Sequence, residues 1–310
     1  MGLKSLEPFR STLTEWKIKS VIVRQGSTDE LEWHERGGDT IGPLYSCTKS
    51  VLSALIGIAL DKGYLENVEQ PVTDFLKPPA EAEEAVSRIQ IRHLLTMTPG
   101  FDWPDFDKPY KAFRSSADPI RFVFDRPVIS EPGAAFSYNS GGSHLLSAIL
   151  TAATGMPGLQ FAKEQLFGPM EFRSARWMAR CGVNEGGTGM YLYGRDLVKI
   201  GQLFAQNGRY GSEQLISPTW IAKSTKLHHR GLLHYEPPIY GGYGYHWWIT
   251  PESHNGFADC YFAFGHGGQY LLVAPDRELV VVVRKQVTKR NDAIYSRRFI
   301  FEHLIPALYG

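Results

Sequence analysis

Residues 48–65 carry apolar side chains on almost every side of a helix, at Val51, Leu52, Leu55, Ile56, Ile58 and Leu60. A helix apolar all round has to be covered, either by the rest of the protein or by lipid. The apolar stretches at 51–60 and 279–283 fall far short of a membrane span, which takes about 18 residues. No membrane association is expected. The chain has 310 residues, and at that size folding buries roughly three quarters of the unfolded surface. The stretch is therefore predicted to be a helix buried on most sides within a globular core.

The flanking pattern sets the layout. A helix is expected at 3–16, then strands at 19–24 and 31–35 around a turn at 26–29. The last third carries aromatic and β-branched runs at 243–250, 261–264, 270–274 and 278–284, then an amphipathic helix at 293–308. Pro275, Asp276 and Arg277 separate the last two runs as a hairpin turn. In between, short helices at 71–76, 91–97, 119–124, 142–153 and 158–167 alternate with Pro/Gly loops, with no period-2 run, and a helix at 193–207 ends at Gly208. Strands at both ends and helices between predict an α+β fold. Its antiparallel sheet is flanked by the terminal helices and interrupted by an inserted, mainly helical region. Residues 1–65 and 186–310 form the expected sheet domain and 66–185 the helical one, with the site in the cleft between them.

Charge and cysteine usage narrow the function classes. Lys and Arg number 33 against 32 Asp and Glu, so no electrostatic case for nucleic acid arises. Three scattered cysteines, Cys47, Cys181 and Cys260, suit a reducing compartment without a disulfide framework. No apolar segment follows the first basic residue, so no secretory leader is expected and the chain reads as cytoplasmic. No CxxC or HExxH pattern occurs, so neither a metal nor another cofactor is expected. The sequence sets no oligomeric state.

Ser46-Cys47-Thr48-Lys49 stands where the apolar helix begins. Residues three apart share a helix face, so Lys49 can reach the Ser46 hydroxyl. A serine hydroxyl is a weak nucleophile until a base takes its proton. A lysine drawn into an apolar helix has its charged form penalised and can serve as that base. Free N–H groups at a helix start, that of Ser46 included, can stabilise an oxyanion. The plainer alternative is a Ser N-cap with a surface Lys, which the apolarity of the helix disfavours. Cys47 lies on another face and reads as a small residue beneath the helix start.

Two further segments stand in order behind this tetrad: Pro132-Gly133 to Tyr138-Asn139-Ser140, and His266-Gly267-Gly268-Gln269 between two strands. Together with Ile91 to Gly100, Gly194-Arg195-Asp196-Leu197 and Tyr243 to Trp248, they span roughly 38–308. The chain thereby resembles the serine β-lactamase-like superfamily, in particular the branch of class C β-lactamases, family VIII esterases and 6-aminohexanoate-dimer hydrolases. The resemblance implies a β-lactamase/transpeptidase-like fold with Ser46 as acylated nucleophile and Lys49 as its proton partner. It implies Tyr138 as general base or proton shuttle. An ordinary phenol titrates near 10, so that role calls for nearby positive charge, with Lys49 as the source. The backbone N–H of Gln269 becomes the second oxyanion donor, and His266, Gly267 and Gly268 a wall of the substrate site.

The chain departs from that pattern at two places. The superfamily's Tyr-x-Asn reads Tyr138-Asn139-Ser140, which brings Asn139 one place early and puts Ser140 in the Asn position, and the resemblance makes both candidate substrate-binding residues. The strand motif Lys-Thr-Gly reads His266-Gly267-Gly268, which replaces a permanent cation by a residue mostly neutral at pH 7. Losing that cation favours uncharged esters or amides over carboxylate-bearing lactams. Trp103, in a Pro-rich loop after Pro99-Gly100, is expected at the rim of the substrate site. The reading is a serine hydrolase acting through an acyl-enzyme on a small ester, amide or lactam. A β-lactamase or D-alanyl peptidase and an acylatable sensor without turnover are the alternatives.

Overall fold

The computed structural model describes residues 5–26, 28–104, 106–232, 240–288 and 290–310. Its centre is a seven-stranded antiparallel sheet. Strands β1 (Ile18–Gln25) and β2 (Thr28–His34) come from the start of the chain. Strands β3 (Gly242–Tyr243), β4 (Trp248–Thr250), β5 (Cys260–Gly265), β6 (Gln269–Ala274) and β7 (Leu279–Lys285) come from its end. The order is β3-β4-β5-β6-β7-β1-β2, so the two ends of the chain meet where β7 pairs with β1.

Both faces of this sheet are covered, which is why 279–283 reads as an unbroken apolar run. Val21, Val23, Leu272, Val281 and Val283 face Leu13 and the C-terminal Phe299, Ile300 and Leu304. Ile22, Leu271, Val273, Val280 and Val282 face the helices of the other layer. Each buried Val or Leu contributes about 1.5–3 kcal/mol of transfer free energy. That second layer is built on helices α1 (Thr48–Asp61), α2 (Ser140–Thr154) and α3 (Gly194–Ala205). Within α1, residues 48–59 are all buried, as its apolarity predicts. Gly201 lets α3 lie close on the sheet, since a Cβ there would sit 2.4 Å from Val280 Cγ1.

The architecture is α+β, a sheet with terminal helices on one face and a mainly helical region between its first and last strands. Three readings are corrected in detail. The run at 243–250 is two strands separated by a turn at His246, whose φ is +60°. The helical middle hides short strands, for Ala175–Trp177 and Gly42–Pro43 both pair with Met190–Leu192. Lys285 is a buried strand residue whose ammonium lies 3.6 Å from Asp292. The first helix is also shorter than expected, a 3-10 turn at Glu7–Phe9 leading into Arg10–Glu15, and residues 3 and 4 fall outside the described residues. Among the described residues no single helix is long and apolar enough to cross a membrane.

Candidate active site

The site begins with a turn that local preference alone would not make. Tyr45 has φ +49°, in the left-handed region. For a bulky residue that conformation costs of order 1–3 kcal/mol and persists where the surroundings enforce it. Here the Leu44 N–H donates to the Met190 carbonyl at 2.9 Å. The chain then runs through a 3-10 turn, Tyr45–Cys47, into α1. Ser46 is thereby left half-buried on the wall of a cavity of about 940 Å³.

Lys49, one helical turn later, is 1% exposed. Its Nζ lies 3.1 Å from Ser46 Oγ, 3.0 Å from Ser140 Oγ and 2.8 Å from the Gly187 carbonyl. Burial pushes its amine down to about 8, opposed by the Asp107 carboxylate. Gly187 permits this approach, because a Cβ there would meet Ser140 Cβ at 2.6 Å.

Tyr138 is held as a plate. Its ring stacks on Phe106 at 4.5 Å and on Trp248 at 5.6 Å. Lys49 Nζ sits 4.8 Å from the ring centroid, and the Ser46 hydroxyl acts on the phenol against the effect of burial. Burial pushes the phenol well above its ordinary value. Desolvation of the oxygen outweighs the nearby lysine, so Tyr138 rests as a phenol.

The departures from the Tyr-x-Asn pattern have a physical account. Asn139 points into the helix end, where its Oδ1 accepts the Gly142 N–H at 2.6 Å as the N-cap of α2. It caps the helix and does not line the cavity. Ser140 does line the cavity. Its hydroxyl donates to Asp107 Oδ2 at 2.6 Å, and its N–H donates to Asp107 Oδ1 at 2.8 Å. Trp103, expected at the rim, is 2% exposed and packs edge-on against Phe113 and Phe122. Its indole N–H donates to Asp107 Oδ1 at 2.8 Å, so Trp103 supports the site from behind.

On the strand wall, His266 is exposed, lines the cavity and stands edge-on to Tyr45 at 5.5 Å. Gly267 lines it too, with φ +74°, while Gly268, φ +94°, lies under the wall and would place a Cβ 2.6 Å from Ser296 Oγ. Gln269 is buried opposite Gly265. Its side-chain amide donates to the Lys285 carbonyl at 2.8 Å, and its own carbonyl accepts Cys47 Sγ at 3.6 Å. Burial pushes the Cys47 thiol up, and Cys47 does not line the cavity.

Three features escaped the sequence reading. Asp107 has no motif around it. His246 joins layers distant in the chain: its ring lies 3.2 Å from the Lys49 carbonyl and 3.2 Å from Ser143 Oγ, and its own carbonyl accepts the Ser50 hydroxyl. Burial pushes that imidazole down to about 3, so it stays neutral. Lys108, Lys111 and Arg114 put three exposed cations on the same cavity wall. Their spacing of three residues was readable, but not what they face.

The Beta-lactamase family model matches residues 20–304 of this chain. The chain belongs to the beta-lactamase family. Members of that family are generally serine hydrolases. Solved structures with the same fold include EstCE1, described as a hydrolase with promiscuous acyltransferase activity. It matches at a TM-score of 0.79 and 16% identity, over 98% of this chain and 97% of that one. A penicillin binding protein from Bacillus halodurans matches at 0.74 and 18% identity, over 94% and 99%. A penicillin-binding protein homologue from Pyrococcus abyssi, described as octameric, matches at 0.70 and 17%, over 96% and 77%. Identities this low show the shared fold alone. As a beta-lactamase-family chain, this one combines an S-x-x-K tetrad with a serine in the triplet and a histidine on the strand wall.

Proposed function

We infer that this beta-lactamase-family protein is an esterase or amidase that works through an acyl-enzyme on Ser46. The observation that carries the reading is Lys49: a buried amine pushed down to about 8, its Nζ 3.1 Å from a hydroxyl that opens on a cavity. A base is most effective when it titrates near the working pH.

The steps follow from that geometry. The neutral Lys49 amine takes the Ser46 proton as Oγ bonds to the substrate carbonyl carbon, and the carbonyl electron pair becomes an oxyanion. The N–H groups of Ser46 and Gln269 are the proposed donors to that oxyanion. Collapse of the adduct expels the alcohol or amine, which takes its proton from the Tyr138 phenol, and Lys49 replaces that proton. Water then repeats the sequence on the acyl-enzyme. Tyr138 is suited to carrying a proton because it rests protonated on the same cavity as Ser46.

A second reading, a carboxylate-bearing substrate with β-lactams included, is favoured by one observation. The missing lysine at His266 spoke for uncharged substrates, yet Lys108, Lys111 and Arg114 bring permanent cations to another wall of the cavity. A fluorophosphonate probe tests the nucleophile: labelling is expected on the peptide carrying Ser46 and is lost in Ser46→Ala. A panel of neutral esters, short amides, carboxylate-bearing esters and a chromogenic cephalosporin then assigns the substrate. Labelling at Cys47 or at another serine overturns the reading. Labelling with acyl-enzymes that never turn over assigns a sensor instead.

A further inference from the structure

Asp107 has no place in the tetrad, the triplet or the strand motif, and it is the most densely bonded carboxylate of the cavity wall. Its backbone and that of Phe106 both lie in the left-handed region, with φ +69° and +45°. Two successive non-glycine residues seldom hold that conformation unless their surroundings enforce it. The Trp103 indole and the Ser140 N–H both donate to Oδ1 at 2.8 Å, and the Ser140 hydroxyl donates to Oδ2 at 2.6 Å.

We propose that Asp107 is the positioning carboxylate of this site, acting through the Ser140 hydroxyl to aim the Lys49 amine at Ser46 and to balance the charge Lys49 gains. The inference rests on the reading of Ser46 and Lys49 as nucleophile and base. A hydroxyl has one proton to donate. Asp107 takes that proton from Ser140, so toward Lys49 the Ser140 oxygen can only accept. The Gly187 carbonyl, 2.8 Å from Nζ, can also only accept. A neutral amine has two N–H groups and one lone pair. With both N–H groups committed to Ser140 and Gly187, the lone pair is left for the third partner, Ser46 Oγ at 3.1 Å. When Lys49 takes the Ser46 proton, the new N–H points back at Oγ, and the ammonium is linked through one hydroxyl to a carboxylate. An aspartate plays the corresponding part behind histidine in a Ser-His-Asp triad, where it fixes the tautomer and stabilises the cation that forms.

Three other titratable groups around Lys49 do not supply this charge, and the Glu185 carboxylate on the same cavity wall makes no hydrogen bond to that amine. Burial pushes the Cys47 thiol and the Tyr138 phenol up, and pushes the His246 imidazole down to about 3. All three are neutral at neutral pH. The Asp107 carboxylate is the charge that most opposes the effect of burial on Lys49.

The variant Asp107→Asn keeps the shape but turns an N–H₂ toward Ser140. The Ser140 proton is then released toward Lys49 and occupies its lone pair. The experiment measures the second-order rate of fluorophosphonate labelling of Ser46 between pH 5 and 10, which needs no knowledge of the natural substrate. Wild type is expected to show a rate rising through about pH 8, where Lys49 titrates. Asp107→Asn is expected to label at least tenfold more slowly at its plateau. Its inflection should move to lower pH, because removing the carboxylate destabilises the ammonium. Ser140→Ala, which leaves the Trp103–Asp107 contact in place, should move the inflection the same way. The double variant should be no slower than the slower single one. If Asp107→Asn fails to fold by circular dichroism, Ser140→Ala decides alone. Labelling of either folded variant at the wild-type rate with an unmoved inflection overturns the inference and leaves the hydrolase reading intact. Absence of wild-type labelling overturns the hydrolase reading and this inference with it.

Discussion

Gly265 stands so close to Leu44 that a Cβ at position 265 would lie 2.3 Å from the Leu44 carbonyl oxygen. The end of β5 is thus pressed against the residue that precedes the strained Tyr45 turn, and through it against Ser46. Only a residue without a side chain allows the strand and the nucleophile's turn to meet there.

Gly265→Ala should therefore damage activity and stability together. Overpacking of this kind costs about 1–3 kcal/mol, and a displacement of the nucleophile by about 1 Å can cost roughly 10²-fold in rate. Thermal unfolding and ester turnover of the variant check both. Wild-type values on both counts would show that the strand does not hold the turn.

Turnover should depend on a base that titrates near 8, in place of an ordinary lysine near 10.5. The neutral amine is the active form, so kcat/KM rises with pH through that value and falls away below it. Lys49→Arg should be inactive at every pH, because a guanidinium keeps its proton. A rate profile of wild type between pH 5 and 10 makes the measurement. An ascending limb near 10 would mean that burial does not tune Lys49.

Tyr138→Phe keeps the stack with Phe106 and Trp248 and removes the hydroxyl alone. Its melting temperature should stay close to wild type, while kcat falls by at least about 10²-fold, the low end for a proton-transfer group. The double variant with Lys49→Ala should lose far less than the product of the two single losses, since both groups handle the same proton. Near-normal turnover would reduce Tyr138 to packing.

The cation-bearing wall predicts a charge preference that can be removed. Lys111→Gln with Arg114→Gln should lower kcat/KM for a carboxylate-bearing ester about tenfold or more, and should flatten its dependence on salt. A neutral ester of the same length should be unaffected. Equal effects on both esters would assign these cations to structure or solubility.

Much of the architecture could be read from the chain because it follows from local pattern. An all-round apolar helix has to be central, and all twelve residues from Thr48 to Ala59 are buried. β-Branched runs at both ends had to pair, and β7 lies beside β1. Where a single residue overrides the pattern, the reading failed. His246 adopts φ +60° and splits an apparently continuous strand, because its backbone N–H is taken by Leu95 and its ring by the Lys49 carbonyl and Ser143. Trp103 looked like a rim residue because it sits in a Pro-rich loop, but its ring fits between Phe113 and Phe122 and its N–H has a buried acceptor.

For the site, the sequence by itself determined what depends on neighbours along one helix. Ser46 and Lys49 are three residues apart, so their meeting is a consequence of helical pitch. Only the tertiary structure decided what those groups are chemically. The amine of Lys49 is lowered because α1, α2 and the Gly187 segment exclude water from it, and the phenol of Tyr138 is raised for the same reason. Asp107 reaches Ser140 from 33 residues away and Trp248 reaches Tyr138 from the far end of the chain. Desolvation and long-range hydrogen bonds depend on which segments are brought together, and no local spacing encodes that.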